Sequence, residues 1–89
     1  MKYIFGNTVA EKRQSLDNAV AFLAAEQRKL RRVQATLNGT QADNSRLVRE
    51  GKPPLDCTEI SESIRVWERR LTRQEADLAE ETRGAFSAA

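Results

Sequence analysis

The stretch VAEKRQSLDNAVAFLAAEQRKLRRVQATL, residues 9 to 37, carries valine or leucine at every seventh position. A second seven-residue repeat runs through CTEISESIRVWERRLTRQEADLAEETRGA, residues 57 to 85. The first ladder is Val9, Leu16, Leu23, Leu30 and Leu37, and the second is Cys57, Ile64, Leu71, Leu78 and Ala85. Sustained heptads mark helices that bury one narrow seam against another helix. The sequence therefore predicts an all-α protein folded as an antiparallel two-helix coiled-coil hairpin.

Capping residues set the predicted bounds of the two helices. Thr8 to Glu11 has the spacing of a capping box, and Asn38-Gly39 tolerates the left-handed conformation that ends a helix. Asp56 to Glu59 is a second N-terminal signature, and Gly84 is a stop signal. The predicted organisation is a single domain with an N-terminal extension at 1–8, helix one at 9–37, a long connector at 38–56 with a short helical stretch at 42–50, helix two at 57–83 and a frayed tail at 84–89.

The ladders also predict how the helices align. With the first ladder as one seam row, the second row of helix one is Arg13, Val20, Gln27 and Gln34. An antiparallel hairpin can then place Arg13 opposite Glu81, which carries the opposite charge. The other facing pairs in this register include Leu30 with Ile64, Leu23 with Leu71, Gln34 with Ile60 and Gln27 with Trp67.

A lone hairpin of this kind leaves each ladder half exposed. Full burial of a leucine stabilises by roughly 1.5–3 kcal/mol, and ordering each residue costs on the order of 1.5 kcal/mol. We therefore expect two hairpins to dimerise into a four-helix bundle. The apolar residues that could bind a partner are Phe22, Val33 and Val66 beside the seam, and Trp67, whose seam position favours a role in the core or the dimer interface.

The sequence contains few residues that could support catalysis. It has no histidine, one cysteine and no glycine-rich phosphate loop, so we expect neither an enzyme nor a bound cofactor or metal. Cys57 is interpreted as a packed seam residue, because no histidine is present to act as its base. The acidic residues near the C-terminus are interpreted as a solvated face; they are Glu75, Asp77, Glu80 and Glu81.

Charge is distributed unevenly along the chain. Residues 28 to 73 hold eleven Lys or Arg against six Asp or Glu, a balance of +5. The basic residues proposed to contact RNA or DNA are Arg28, Lys29, Arg31, Arg32, Arg65, Arg69, Arg70 and Arg73. Guanidinium groups bind phosphate in a bidentate way, but solvated helix flanks paired with Glu62 and Glu68 would give the same pattern.

Two functional hypotheses follow from these patterns. The leading one is a non-enzymatic helical-hairpin interaction module, such as a small adaptor, inhibitor or assembly factor. It would bind an unidentified protein partner through its helix faces and the 38–56 connector. The alternative is a dimeric helical hairpin that binds RNA or DNA through its Arg-rich loop-proximal half. With no long apolar run and no signal segment in the sequence, we expect a cytoplasmic bacterial or phage accessory protein that does not enter the membrane.

Overall fold

The computed structural model describes residues 2–87 and contains two helices, α1 (Val9–Arg49) and α2 (Thr58–Phe86). They pack against each other along a rod that measures 66 × 16 × 15 Å. No strand occurs in the described range. The prediction of an all-α helical hairpin is therefore confirmed.

The N-terminal cap of α1 uses the predicted residues Thr8 and Glu11, but only one of the two hydrogen bonds of a capping box forms. The Thr8 hydroxyl oxygen accepts a hydrogen bond from the Glu11 backbone N–H at 3.1 Å. The same hydroxyl donates to the Glu11 carboxylate at 3.2 Å, so that carboxylate bonds the side chain of Thr8 and not its backbone N–H. One free N–H of the first turn is thereby satisfied, which is the stabilising part of such a cap.

The predicted end of helix one at residue 37 is wrong, because α1 continues to Arg49. Gly39 lies in the helix interior and has no positive φ. An interior glycine costs about 1 kcal/mol relative to alanine, which is too little to end a helix that keeps packing beyond it. Thr40, Asn44 and Leu47 are each partly buried at seam spacing after Gly39. The helical stretch predicted at 42–50 is thus the last part of α1.

A Schellman motif ends α1. Gly51 has φ +75°, and its N–H donates to the Val48 carbonyl at 3.1 Å. The Lys52 N–H donates to the Leu47 carbonyl at 2.8 Å, which completes the two bonds of this motif. The left-handed glycine expected at Gly39 is therefore at Gly51, where the prolines that follow also prevent helix continuation.

The connector is shorter than predicted and is tied back to α1. The Asn44 carboxamide donates to the Leu55 carbonyl and accepts from the Leu55 N–H, both at 2.8 Å. The Asn44 amide nitrogen also lies 3.6 Å from the Cys57 sulfur. This one side chain therefore satisfies both backbone groups of Leu55, which an extended segment would otherwise leave without a protein partner.

Asp56 satisfies the first free N–H of α2. Its carboxylate accepts from the Thr58 N–H at 2.9 Å, and this hydrogen bond, followed by one from the Thr58 side chain, lowers the pKa of Asp56. The helix begins at Thr58, one residue later than predicted, and continues past Gly84 to Phe86. Part of the predicted frayed tail is thus helical, while residues 88 and 89 of that tail lie outside the described residues.

The buried core draws on both ladders. Its members are Ala19, Leu23, Leu30, Ile64, Leu71 and Leu78. Val33 packs against this core, whereas Val20 is 52% exposed. The second seam row of α1 therefore runs through Ala19 and Val33, and the predicted row through Arg13 and Val20 is wrong.

The predicted register is also wrong, by about one heptad. Gln34 donates to the Glu68 carboxylate at 2.6 Å, where Ile60 was expected. Gln27 donates to the Glu75 carboxylate, where Trp67 was expected. Because α1 continues beyond Gly39, the turn comes later in the chain, and every residue of α1 meets a residue nearer the end of α2.

The N-terminal segment folds back over the open end of the hairpin. Tyr3 and Ile4 pack against the core, and the Glu81 carboxylate accepts from their N–H groups at 2.6 and 3.3 Å. The predicted pairing of Glu81 with Arg13 is therefore wrong. Gly6 makes the reversal possible, since its φ is +118° and a Cβ there would collide with the Glu11 side chain.

Candidate interaction surfaces

The four residues predicted to bind a partner divide into two pairs. Phe22 and Val66 are 55% and 59% exposed, whereas Val33 and Trp67 pack against the core. Val66 and Trp67 line a shallow groove of about 540 Å³ on α2, which we name the Trp67 groove. Its polar lining consists of Glu59, Glu62, Ser63 and Arg70. Neither Phe22 nor Val33 contributes to it.

Trp67 lies in the α2 seam, as predicted, but its indole nitrogen has no hydrogen-bond partner within residues 2–87. Its indole N–H is buried and has no hydrogen-bond acceptor among the described residues. An unsatisfied buried donor costs about 1–3 kcal/mol, which only substantial ring burial can offset. Trp67 therefore contributes packing to the hairpin and supplies one apolar wall of the groove.

A second groove lies between the two helices and was not predicted. Its apolar lining is Leu16, Val20, Leu23, Ala24, Leu78 and Ala79, and its volume is about 530 Å³. Gln27, Glu75 and Arg83 are among its polar residues. We name it the Val20 groove, after its most exposed large hydrophobic side chain. The sequence did not predict this groove because Val20 was assigned to the second seam row of α1 and so was not considered as surface.

All eight predicted nucleic-acid contacts are exposed on the helices. Lys29 forms an ion pair with Glu26 at 3.3 Å. Within residues 2–87, none of the seven arginines of the set has a carboxylate within 4.0 Å. Glu68, one of the expected partners for them, accepts from Gln34 instead. The seven arginines of this set are thus free of direct ion pairs within the described residues.

The observed register brings the two arginine clusters to the same height on the rod. Leu30 and Leu71 line one shared surface groove together with Arg31 and Thr72. Residues 28–32 of α1 therefore lie beside residues 69–73 of α2. In the predicted register, Arg31 is level with Ser63 and both clusters lie in the loop-proximal half; the observed register moves them to the middle of the rod. The basic residues of these two ranges form a belt around the middle of the hairpin, which we name the arginine belt. Glu68 and Glu75 line the same groove, and Arg65 lies outside the two ranges.

The remaining reactive side chains take part in local contacts. Cys57 is half buried beside Asn44, and its sulfur lies 3.7 Å from the Leu55 carbonyl oxygen. Burial raises the pKa of Tyr3, and the nearby Asp77 and Glu81 carboxylates raise it further. No group of three or more potential metal ligands comes together in the part of the chain that is described.

Neither described helix combines the length and apolar character needed to cross a bilayer. No protein-family model, curated protein or solved structure matches this chain.

Proposed function

We propose that this protein is a non-enzymatic helical-hairpin interaction module that acts as an adaptor, inhibitor or assembly factor. One observation carries the proposal: among residues 2–87, large apolar side chains stay outside a core of six buried residues. The most exposed of them on the helices and connector are Val9, Phe22, Val48, Leu55 and Val66. Exposed apolar surface beside polar residues is typical of sites where partners dock.

The Trp67 groove is the proposed docking site for the protein partner. Val66 and Trp67 offer an apolar wall, while Arg70 and two glutamates border it with charges of both signs. An apolar anchor from a partner would cover Val66, and the bordering charges would orient that partner. The loop end offers a further apolar contact through Val48 and Leu55. Supercoiling of α1 and α2, self-association and a cytoplasmic setting belong to the same proposal.

Site-specific photo-crosslinking tests this function. A photoreactive amino acid replaces Val66 in the groove, and a matched control replaces Glu80, which is exposed and lines neither groove. We expect a discrete adduct with another polypeptide from Val66 and none from Glu80, when the variants are expressed in the native cell. Absence of an adduct, or equal adducts at both positions, would contradict the proposal.

Nucleic-acid binding is the second candidate, and the arginine belt favours it. Each phosphate contact on duplex DNA contributes about −0.9 to the slope of log affinity against log salt. Light scattering at low and high salt, with and without mixed RNA or duplex DNA, measures whether a complex forms. A complex that dissociates with salt, and that Arg69→Glu weakens, would support this candidate. A mass that RNA and DNA leave unchanged at low salt would eliminate it.

A further inference from the structure

We propose that the Val20 groove binds a second copy of this chain, with the two α2 helices crossing antiparallel at Ala79. This inference rests on the self-association included in the proposed function, and it names the surface and the geometry. The Val20 groove and the Trp67 groove have no lining residue in common. A dimer formed this way therefore leaves both copies of the Trp67 groove free for another partner.

The groove is apolar where the second copy would enter it. Val20 is 52% exposed, Leu16 and Ala24 are half buried, and the buried Leu23 and Leu78 also line it. Contact with a second hairpin would cover this apolar surface, which is the main favourable contribution to association of helices in water. Ala79 is exposed and small, so it permits the close approach of 8–10 Å that is typical of packed helix axes.

The charges along α2 specify the occupant and its direction. Glu75, Ala79 and Arg83 follow each other at four-residue intervals, which places them on one face of the helix. An antiparallel pair centred on Ala79 sets Glu75 of one copy against Arg83 of the other, and two-fold symmetry repeats the pair. A parallel pair would set Glu75 against Glu75 and Arg83 against Arg83. The face is thus complementary to itself in the antiparallel direction only, as a closed two-fold interface requires.

Both charges are available for that contact. Among residues 2–87, neither Glu75 nor Arg83 has an oppositely charged group within 4.0 Å. Glu75 accepts from the Gln27 amide, which orients the carboxylate and leaves its charge in place. Gln27 therefore holds one of the two charged groups at the rim of the groove, where the second copy would meet it.

A charge-reversal exchange tests the proposal by sedimentation equilibrium. Glu75→Lys alone sets lysine against Arg83 of the second copy, and Arg83→Glu alone sets glutamate against Glu75. Each homodimer then contains two like-charge contacts, so we expect its Kd to rise by roughly tenfold. In an equimolar mixture of the two variants, both contacts are attractive again, and we expect a heterodimer with a Kd within about twofold of wild type. Arg46→Glu is the matched control, because Arg46 is exposed near the loop end and lines neither groove, and it should leave the Kd unchanged.

Three results would overturn the inference. They are a wild-type chain that stays monomeric at the highest concentration studied, single variants that dimerise as well as the control, and a mixture that recovers nothing. Recovery on mixing cannot come from folding effects within one chain, such as the loss of the Gln27 bond. The photo-crosslink at Val66 is a separate readout. An adduct with a monomeric chain would refute the dimer, and with it the self-association, but keep partner docking at the Trp67 groove. A dimer without an adduct would keep the self-association and refute that docking.

Discussion

Replacing Gly39 with alanine should stabilise the protein, which is the opposite of what a helix end at that position would give. Gly39 lies inside α1 with an ordinary helical φ, it is exposed, and an added Cβ would meet nothing within 4 Å. Alanine in a helix interior is favoured over glycine by about 0.8–1 kcal/mol, partly because glycine loses more freedom on folding. For a domain of this length, 1 kcal/mol corresponds to about 4–8 °C in Tm.

Gly51→Ala is the matched control, with the opposite expected sign. Gly51 also has open space around its Cβ position, but its φ is +75° in the Schellman motif. Alanine pays about 1–2 kcal/mol in the left-handed region, so we expect this variant to be destabilised by about that amount. The two substitutions add the same methyl group, and only the backbone conformation distinguishes them.

The assay is urea unfolding followed by circular dichroism, repeated at several protein concentrations. Concentration matters because any self-association adds to the apparent stability of each variant. We expect the midpoint to rise for Gly39→Ala and to fall for Gly51→Ala, with the slope against urea unchanged. If Gly39→Ala destabilises while Gly51→Ala is neutral, then α1 ends near residue 37, and both the helix bounds and the register given above are wrong.

Three further predictions test the register and the N-terminal segment. A cysteine replacing Asn44 should form an intrachain disulfide with Cys57 on mild oxidation, whereas one replacing Leu37 should not; mass spectrometry after alkylation decides this, and the reverse result would restore the predicted register. Tyr3→Phe should leave stability at neutral pH equal or higher, because the Tyr3 hydroxyl is buried without a partner among residues 2–87. The raised pKa of Tyr3 means that the folded state favours the neutral phenol. The free energy of unfolding is therefore unaffected by this group below about pH 10 and falls as the pH rises further. Thermal melts of the wild type, and not of Tyr3→Phe, should show that loss. Glu81→Ala should cost about 1.5–3 kcal/mol, by denaturant unfolding, and should speed amide hydrogen exchange at residues 3 and 4; unchanged exchange would show that Glu81 does not hold the segment.

The heptad ladders were sufficient to predict the hairpin, because repeated apolar residues report directly on which side of a helix is buried. Leu23, Leu30, Leu71 and Leu78 are all in the core as their spacing requires. The turn was misplaced because Gly39 was given the weight of a helix end. The opposing signal was the partly buried Leu47, which continues the apolar spacing beyond Gly39.

The N-terminal segment could not have been predicted from periodicity. Its attachment depends on single hydrogen bonds from residues 3 and 4 to Glu81, which lies at the other end of the chain. The bond between Gln27 and Glu75 likewise requires the register to be known first. Such contacts between residues distant in sequence have no repeating pattern, so only the folded structure reveals them.

A shift of one heptad leaves the fold unchanged and alters which side chains share a surface. The change of seam row on α1 leaves Val20 outside the seam, and the shift along the rod places it in one groove with Ala79, the groove assigned to the second copy. It also brings residues 28–32 level with residues 69–73, which gathers the arginines into one belt. Both candidate surfaces therefore depend on the position of the turn. The Asn44 and Leu37 disulfide experiment consequently tests the arginine belt and the dimer groove at the same time as the register.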